Sequence, residues 1–283
     1  MRLINTKKIK LKTYITVSKF AYKYLGFYIW PKRLINRKFS YEDYYPSGLC
    51  VNLGGGPYFS RDGWINADFI KNFSTLDNRV ECDISKCLDE LPFKDVQAYY
   101  LSHTLEHFSI HDAKKLLLSL RASLKQGGTL RIIVPDADLV IDRCKNNDIE
   151  YFRPLFSYFK YINPDQISNL DILFHLLCKP RCRIQHLSTS IGENYNSEWT
   201  DILHHKNSSI LDKLNNHSFK QDINGSLHLS AYNSSLLIDL LNEAGFSQIY
   251  RSSFMQSRFP PLREAPIFDG THPWLSLYVE AVK

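Results

Sequence analysis

His103-Thr104-Leu105-Glu106-His107 contains the residue types from which acid–base chemistry is built. The two histidines are four apart with Glu106 between them, so one helical turn would set both imidazoles on one side. An imidazole in such a place could take the proton of a hydroxyl acceptor, which is a poor nucleophile at neutral pH. His107 and His103 are therefore the first catalytic candidates. The same spacing raises a metal site. However, the order His-Glu-x-x-His is absent and Glu106 directly precedes the second histidine, so no metal is expected there. On the structural reading, His103 packs beneath a ligand and Glu106 caps or pairs.

His175, Cys178, Cys182 and His186 form a second cluster with zinc-ligand residue types. Its spacing is uncommon, and Pro180 interrupts any shared helical face, so a helix end with two free thiols is expected instead. Lys179, Arg181 and Arg183 beside it could meet an anionic substrate.

A third stretch implies a ligand site. The apolar run Leu49-Cys50-Val51-Asn52-Leu53 breaks into Gly54-Gly55-Gly56, and Trp64-Ile65-Asn66-Ala67-Asp68 follows. A continuous apolar run suits a buried strand. Glycines at its end let the backbone turn sharply and approach a ligand closely. An acidic residue ending the next strand, here Asp68, can take a ribose hydroxyl pair. The stretch is neither Gly-x-Gly-x-x-Gly nor a phosphate loop, which favours a nucleoside ligand without phosphates. The competing reading is a plain tight turn.

Downstream come Glu81-Cys82-Asp83-Ile84, the "SHTLEHF" segment at residues 102–108, "LKQGGTLRIIVPD" at 124–136, "HLSAYNSSLLIDLLNEAGF" at 228–246 and the final "LSLYVEAVK". Together with "NLGGG…GWINAD", these segments resemble class I S-adenosylmethionine-dependent methyltransferases. The closest similarity is to the type associated with bacterial surface-polysaccharide synthesis. The resemblance spans about residues 46–140 and 228–283. It implies an α/β fold with a Rossmann-like, doubly wound, mostly parallel seven-stranded sheet whose last strand is antiparallel. It implies S-adenosylmethionine as cofactor, with Gly54, Gly55 and Gly56 near its methionine part and Asp68 on the ribose. Asp83 would meet the adenine amine, Ile84 the adenine ring, and Ser102 and His103 the reacting centre. Glu106, His228 and Tyr232 would line the acceptor side, with Asp136 a further catalytic candidate there.

One departure from that pattern stands out. Seven residues separate Gly56 from Trp64, too few for a full crossover helix with its turns. A truncated helix or loop is expected, leaving the methionine side more open than usual.

Strands are expected near 49–53, 64–67, 79–83, 96–101, 129–134, 248–254 and 275–282. After the fourth, Ser109 caps a helix with Asp112 in its first turn and Ala113, Leu116, Leu117, Leu120 and Leu124 as its apolar stripe. Gly127-Gly128 is the expected stop. Asn233 or Ser234 caps the late helix, and Gly245 ends it. Residues 141–227, rich in Asn, His, Ser and aromatics, are read as a helical insertion or lid over the acceptor site, between a cofactor-binding part at 46–140 and a C-terminal part at 228–283.

The 283 residues suffice for one sizeable core plus an insertion. A hydrophobic content of 44% with 23% charged residues excludes wholesale disorder. Of the six cysteines, Cys50 and Cys82 sit in apolar strand contexts, and with no signal-peptide pattern present, free thiols in a reducing cytoplasm are expected. Eleven of the 35 basic residues fall in residues 1–38, which have no Asp or Glu; the remainder carries 24 basic against 29 acidic residues. The basic balance thus belongs to an N-terminal arm, residues 1–45. Its Tyr14, Val17, Ala21, Tyr24, Leu25 and Tyr28 recur at helical spacing, but Lys19 and Lys23 argue against a membrane span. Two readings stay open: a helix lying on an anionic membrane surface, or one packed on the catalytic body. Nucleic acid ranks below both, because the acidic body would repel it. The expected function is methyl transfer to a hydroxyl of a glycan or envelope-polysaccharide precursor. The alternatives are a small-molecule or nitrogen acceptor, or a degenerate, non-catalytic scaffold of the same fold.

Overall fold

The computed structural model describes residues 48–56, 59, 61–69, 78–158, 167–178, 199, 201–216, 228–264 and 267–283. The N-terminal arm, Cys182 and His186 lie outside them.

Seven strands form one sheet: β1 (Cys50–Leu53), β2 (Trp64–Asp68), β3 (Arg79–Glu81), β4 (Val96–Ser102), β5 (Leu124–Pro135), β6 (Ser247–Ser252) and β7 (Ser276–Val282). Their order is β3-β2-β1-β4-β5-β7-β6. The first five are mutually parallel, and β7 runs antiparallel to both β5 and β6. This is the expected Rossmann-like α/β sheet with its last strand reversed. The order doubles back at β1, which lies between β2 and β4. In such sheets the ligand crevice opens beyond the carboxyl ends of the strands at that reversal.

The central strands read as apolar runs because both faces are covered. Val51, Leu53, Tyr99, Leu101, Leu130 and Ile132 point into the main core, together with Leu116, Leu117 and Leu120 of α1 (Ile110–Ser123). Their neighbours Cys50, Ala98, Tyr100, Ile133 and Tyr278 face the other side, against Trp64, Leu262 and Phe268. Alternation with period two sorts the two sets. A third apolar cluster unites α2 (Ala137–Lys145), α3 (Arg153–Tyr158), α4 (Asn169–Leu177) and α5 (Asn207–Asn216), with Trp199 and Leu275. These helices occupy the region expected to be helical between β5 and the late helix α6 (Ser234–Glu243).

Ser109 caps α1, its Oγ accepting the Asp112 amide at 3.1 Å, and Asn233 caps α6 by accepting from Leu236 at 2.9 Å. Gly127-Gly128 does not stop α1, and this expectation is corrected. The helix ends at Ser123, and Leu124 already begins β5. Lys283 provides the physical reason: its ammonium donates to the carbonyls of Ala122 and Leu124, and its backbone pairs with Gly127 and Gly128. Between Gly56 and Trp64 no described residue is helical, in keeping with the short crossover.

Candidate active site

The site begins where β1 ends. Gly54 has φ of +74°, and a Cβ there would fall 2.5 Å from the Thr104 methyl, so a side chain is excluded on both counts. Thr104 in turn donates to the Leu53 carbonyl at 3.1 Å, locking the turn after β4 against the glycine loop. Gly56 borders open space, with no atom within 4 Å of where its Cβ would stand. Its amide donates to Asp68 Oδ2 at 2.8 Å, and Asn66 Nδ2 donates to its carbonyl at 2.8 Å. The glycine loop and the acidic end of β2 are thus one hydrogen-bonded unit. Beneath the loop, the buried Oδ1 atoms of Asn52 and Asn66 lack a hydrogen-bond partner.

Asp83 follows β3 and is paired with Lys86 at 2.7 Å and Ser85 at 2.6 Å. Lys86, then Ser85, holds its carboxyl below the usual range. Ile84 is buried in the main core. Ser102 ends β4, half-buried.

His103 follows with φ of +52°, a left-handed backbone rare for a residue with a side chain. Its amide is tied to the Ile133 carbonyl at 2.8 Å. Its Nε2 lies 3.1 Å from Ser276 Oγ, and Nδ1 lies 3.2 Å from Glu106 Oε1. Nδ1, facing the Glu106 carboxylate, is the donor nitrogen of the neutral ring, so Nε2 is its basic nitrogen, and the Ser276 hydroxyl, which also reaches the carbonyls of Thr271 and His272, can donate to it. Strained backbone of this kind concentrates at functional sites.

Leu105–His107 forms a 3-10 turn that carries Glu106 inward and leaves His107 half-buried. Glu106 is 1% exposed, and neither carboxylate oxygen accepts a well-aligned hydrogen bond. Burial opposes its charge, but His103 beside it, with His228 and His107 nearby, outweighs that opposition and holds the carboxyl below its ordinary value. His228 arrives from the far end of the chain. The amides of Leu229 and Ser230 donate to the Glu106 carbonyl at 2.7 and 3.2 Å, and Ser230 Oγ donates to the Phe108 carbonyl at 2.8 Å. This docking sets His228 Nε2 at 3.8 Å from Glu106 Oε1 and its ring 5.0 Å from that of His107, edge-on. Burial pushes the His228 imidazole down to about 3.

The chain therefore brings His103, Glu106, His107 and His228 together. Tyr232 is fully buried below them in the main core, where burial drives its phenol up. Asp136 makes its side-chain contacts with other groups. It caps α2 by accepting the Leu139 amide, and it pairs with Arg251 at 2.8 Å. Burial raises its carboxyl despite those contacts. His175 and Cys178 are buried at the end of α4.

Sequence reasoning did not select Thr104, Ser276 or His272. No local pattern marks Thr104 or Ser276, because the partner that matters at the site is distant in sequence: the Leu53 carbonyl for Thr104 and the His103 ring for Ser276. His272, whose ring lies 6.2 Å from that of His103, could have been suspected only as another histidine.

No family model matches the chain, and no curated protein matches it. Solved structures give weak likenesses. A SAM-dependent methyltransferase from Archaeoglobus fulgidus is 13% identical, with 86% of this chain and 90% of that one covered and a TM-score of 0.41. Human N-acetylserotonin methyltransferase, solved with SAM, is 13% identical over 85% of this chain and 48% of its own, with a TM-score of 0.39. A possible exported protein from Bordetella parapertussis is 11% identical over 86% of this chain, with a TM-score of 0.37; the chain spans 63% of its length. With TM-scores this low, these likenesses identify no relative. The fold class rests on the strand order above.

Proposed function

We propose that this chain transfers a methyl group from S-adenosylmethionine to a hydroxyl of a glycan or envelope-polysaccharide precursor. The observation that carries the reading is the hydrogen-bonded unit of Gly56 and Asp68, at the carboxyl edge of β1 and β2 and beside the reversal of strand order. The residues there fit the cofactor. Open space borders Gly56, and the Asp68 carboxylate stands beside it at the end of β2, where a carboxylate can accept ribose hydroxyls. Asn52 and Asn66 add buried acceptors under the loop. Asp83 and Ile84 follow β3, on the side assigned to adenine.

When bound, the cofactor supplies an electrophilic methyl on sulfur. This chain's residues hold the acceptor in line and take its proton, and positioning alone can supply much of the acceleration. His103 is the general base of the proposal, oriented by Ser276 on one side and Glu106 on the other. His107 and His228 close the acceptor side, and the helices α2 to α5 form its lid. Asp136 supports that wall through α2 and Arg251. A small-molecule or nitrogen acceptor is the second reading. Residues 1–38 would hold the enzyme to an anionic membrane surface on the cytoplasmic side. Among the described residues no helix is long and apolar enough to cross a membrane.

The test is transfer of label from methyl-tritiated S-adenosylmethionine to a panel of saccharide hydroxyls, small phenols and amines. Label in saccharides supports the proposal. Label only in amines or phenols moves the acceptor to the second reading. Cofactor binding without transfer to any acceptor favours a non-catalytic scaffold.

A further inference from the structure

We propose that Glu106, His107 and His228 form a binding site for a divalent transition-metal ion, zinc being the probe that tests it. One ligand atom from each residue lies within 4.8 Å of the other two. The expected absence of metal rested on the local order of His103, Glu106 and His107 alone. His228 changes that count, because it is delivered from another segment by the Leu229 and Ser230 amides on the Glu106 carbonyl.

The orientation of the donors favours a cation between them. His228 Nδ1 lies 2.9 Å from the Leu176 carbonyl, which can only accept, so Nδ1 carries a proton. In the neutral ring, Nε2 then presents a lone pair toward Glu106 Oε1 across 3.8 Å. Two electron-rich atoms face each other in a buried place, and the carboxylate is 1% exposed without a well-aligned hydrogen bond. A buried charge in this state calls for a counter-ion.

The surroundings have the form of a metal site's outer shell. A ligating histidine donates its other nitrogen to a carbonyl, as His228 does to Leu176. A ligating carboxylate has its own supporting donor, and His103 Nδ1 stands 3.2 Å from Oε1. Ligands on a tetrahedral zinc, each about 2.0–2.1 Å from the metal, lie roughly 3.3–3.5 Å apart, so closure asks for an inward shift of about an ångström. His107 is the member able to make it, being half-buried on a short turn. Two imidazoles and one carboxylate leave a fourth position for an oxygen ligand, the pattern of catalytic zinc sites. The inference rests on this geometry and is independent of the methyl-transfer reading.

The full chain, stripped with chelator, is titrated with zinc against a chromophoric chelator and with cobalt followed by visible absorption. One equivalent of zinc and the intense absorption of four-coordinate cobalt are expected. His107→Ala and His228→Ala should each weaken zinc by more than about 100-fold, since even outer-shell losses cost 10–100-fold. His111→Ala, on the exposed start of α1, should bind as the parent does. A folded parent chain that takes up no zinc overturns the proposal. So does zinc retained at full affinity in both variants, which would place it elsewhere. If His228→Ala fails to fold, His107→Ala alone decides, because that side chain is not part of a core.

Discussion

Gly56 donates its amide to the Asp68 carboxylate at 2.8 Å, joining the turn after β1 to the last residue of β2. The contact spans the two strand ends, where the proposed cofactor's nucleoside would lie. It orients Asp68, which is 6% exposed, and holds the glycine loop at the sheet edge. A preorganised acceptor of this kind lowers the ordering cost of binding.

His103 separates chemistry from backbone strain. His103→Ala and His103→Gly should both lower turnover by about 10²–10⁴-fold, the ordinary contribution of a general base. They should differ in stability. With φ at +52°, glycine relieves a penalty of about 1–2 kcal/mol that alanine retains. Denaturant unfolding of the two variants measures this. An alanine variant as stable as the glycine one would contradict the strained conformation.

Arg131 is fully buried and donates to Asp269 Oδ1 at 3.0 Å and Glu280 Oε1 at 2.7 Å, both carboxylates also buried. Replacing it with methionine strands two acids behind the sheet. Arg131→Met should cost about 3–5 kcal/mol in urea unfolding, the usual penalty for breaking a buried ion pair from one side. Adding Asp269→Asn and Glu280→Gln should recover much of the loss. A single variant within about 0.5 kcal/mol of the parent would show that the cluster contributes nothing.

Burial pushes His175 and His272 down to about 4. In the unfolded chain a histidine titrates near 6.5. Between those values the unfolded state binds more protons, so stability rises with pH. The contribution is complete above about 6.5 and is lost as pH falls toward 4. Each ring should add up to about 1.4 kcal/mol per pH unit in that window. Unfolding free energies at pH 7 and pH 5, compared with the double variant His175→Gln/His272→Gln, test this. An unchanged slope in the double variant would contradict it.

The sheet was legible because its strands are buried apolar runs ended by glycine and acidic punctuation, and each expected strand overlaps an observed one. The start of β5 was not. Lys125, Gln126 and Gly127 look like a loop in the sequence, but Leu124 pairs with Val96 of β4, and Gly127 and Gly128 pair with Lys283. Histidines four apart with an acid between them drew attention to residues 103–107. The fourth member, His228, opens one of the segments that carry the resemblance, but nothing in the sequence marks it as a neighbour of Glu106. That proximity depends on backbone hydrogen bonds between segments with no local pattern in common. The Arg131 cluster left a signal that went unused. Arg131 and Glu280 interrupt otherwise apolar strands, and opposite charges inside buried strands must find each other.

Cofactor binding at the Gly56–Asp68 unit is the central claim. Calorimetric titration with S-adenosylhomocysteine, on the full chain and on Asp68→Ala, tests it most directly. Saturable one-to-one binding by the parent, weakened at least about tenfold (about 1.4 kcal/mol) in a folded Asp68→Ala, is the predicted result. A folded parent that releases no heat and shows no thermal stabilisation by the ligand would contradict the account, and the Rossmann-like sheet would then serve another purpose.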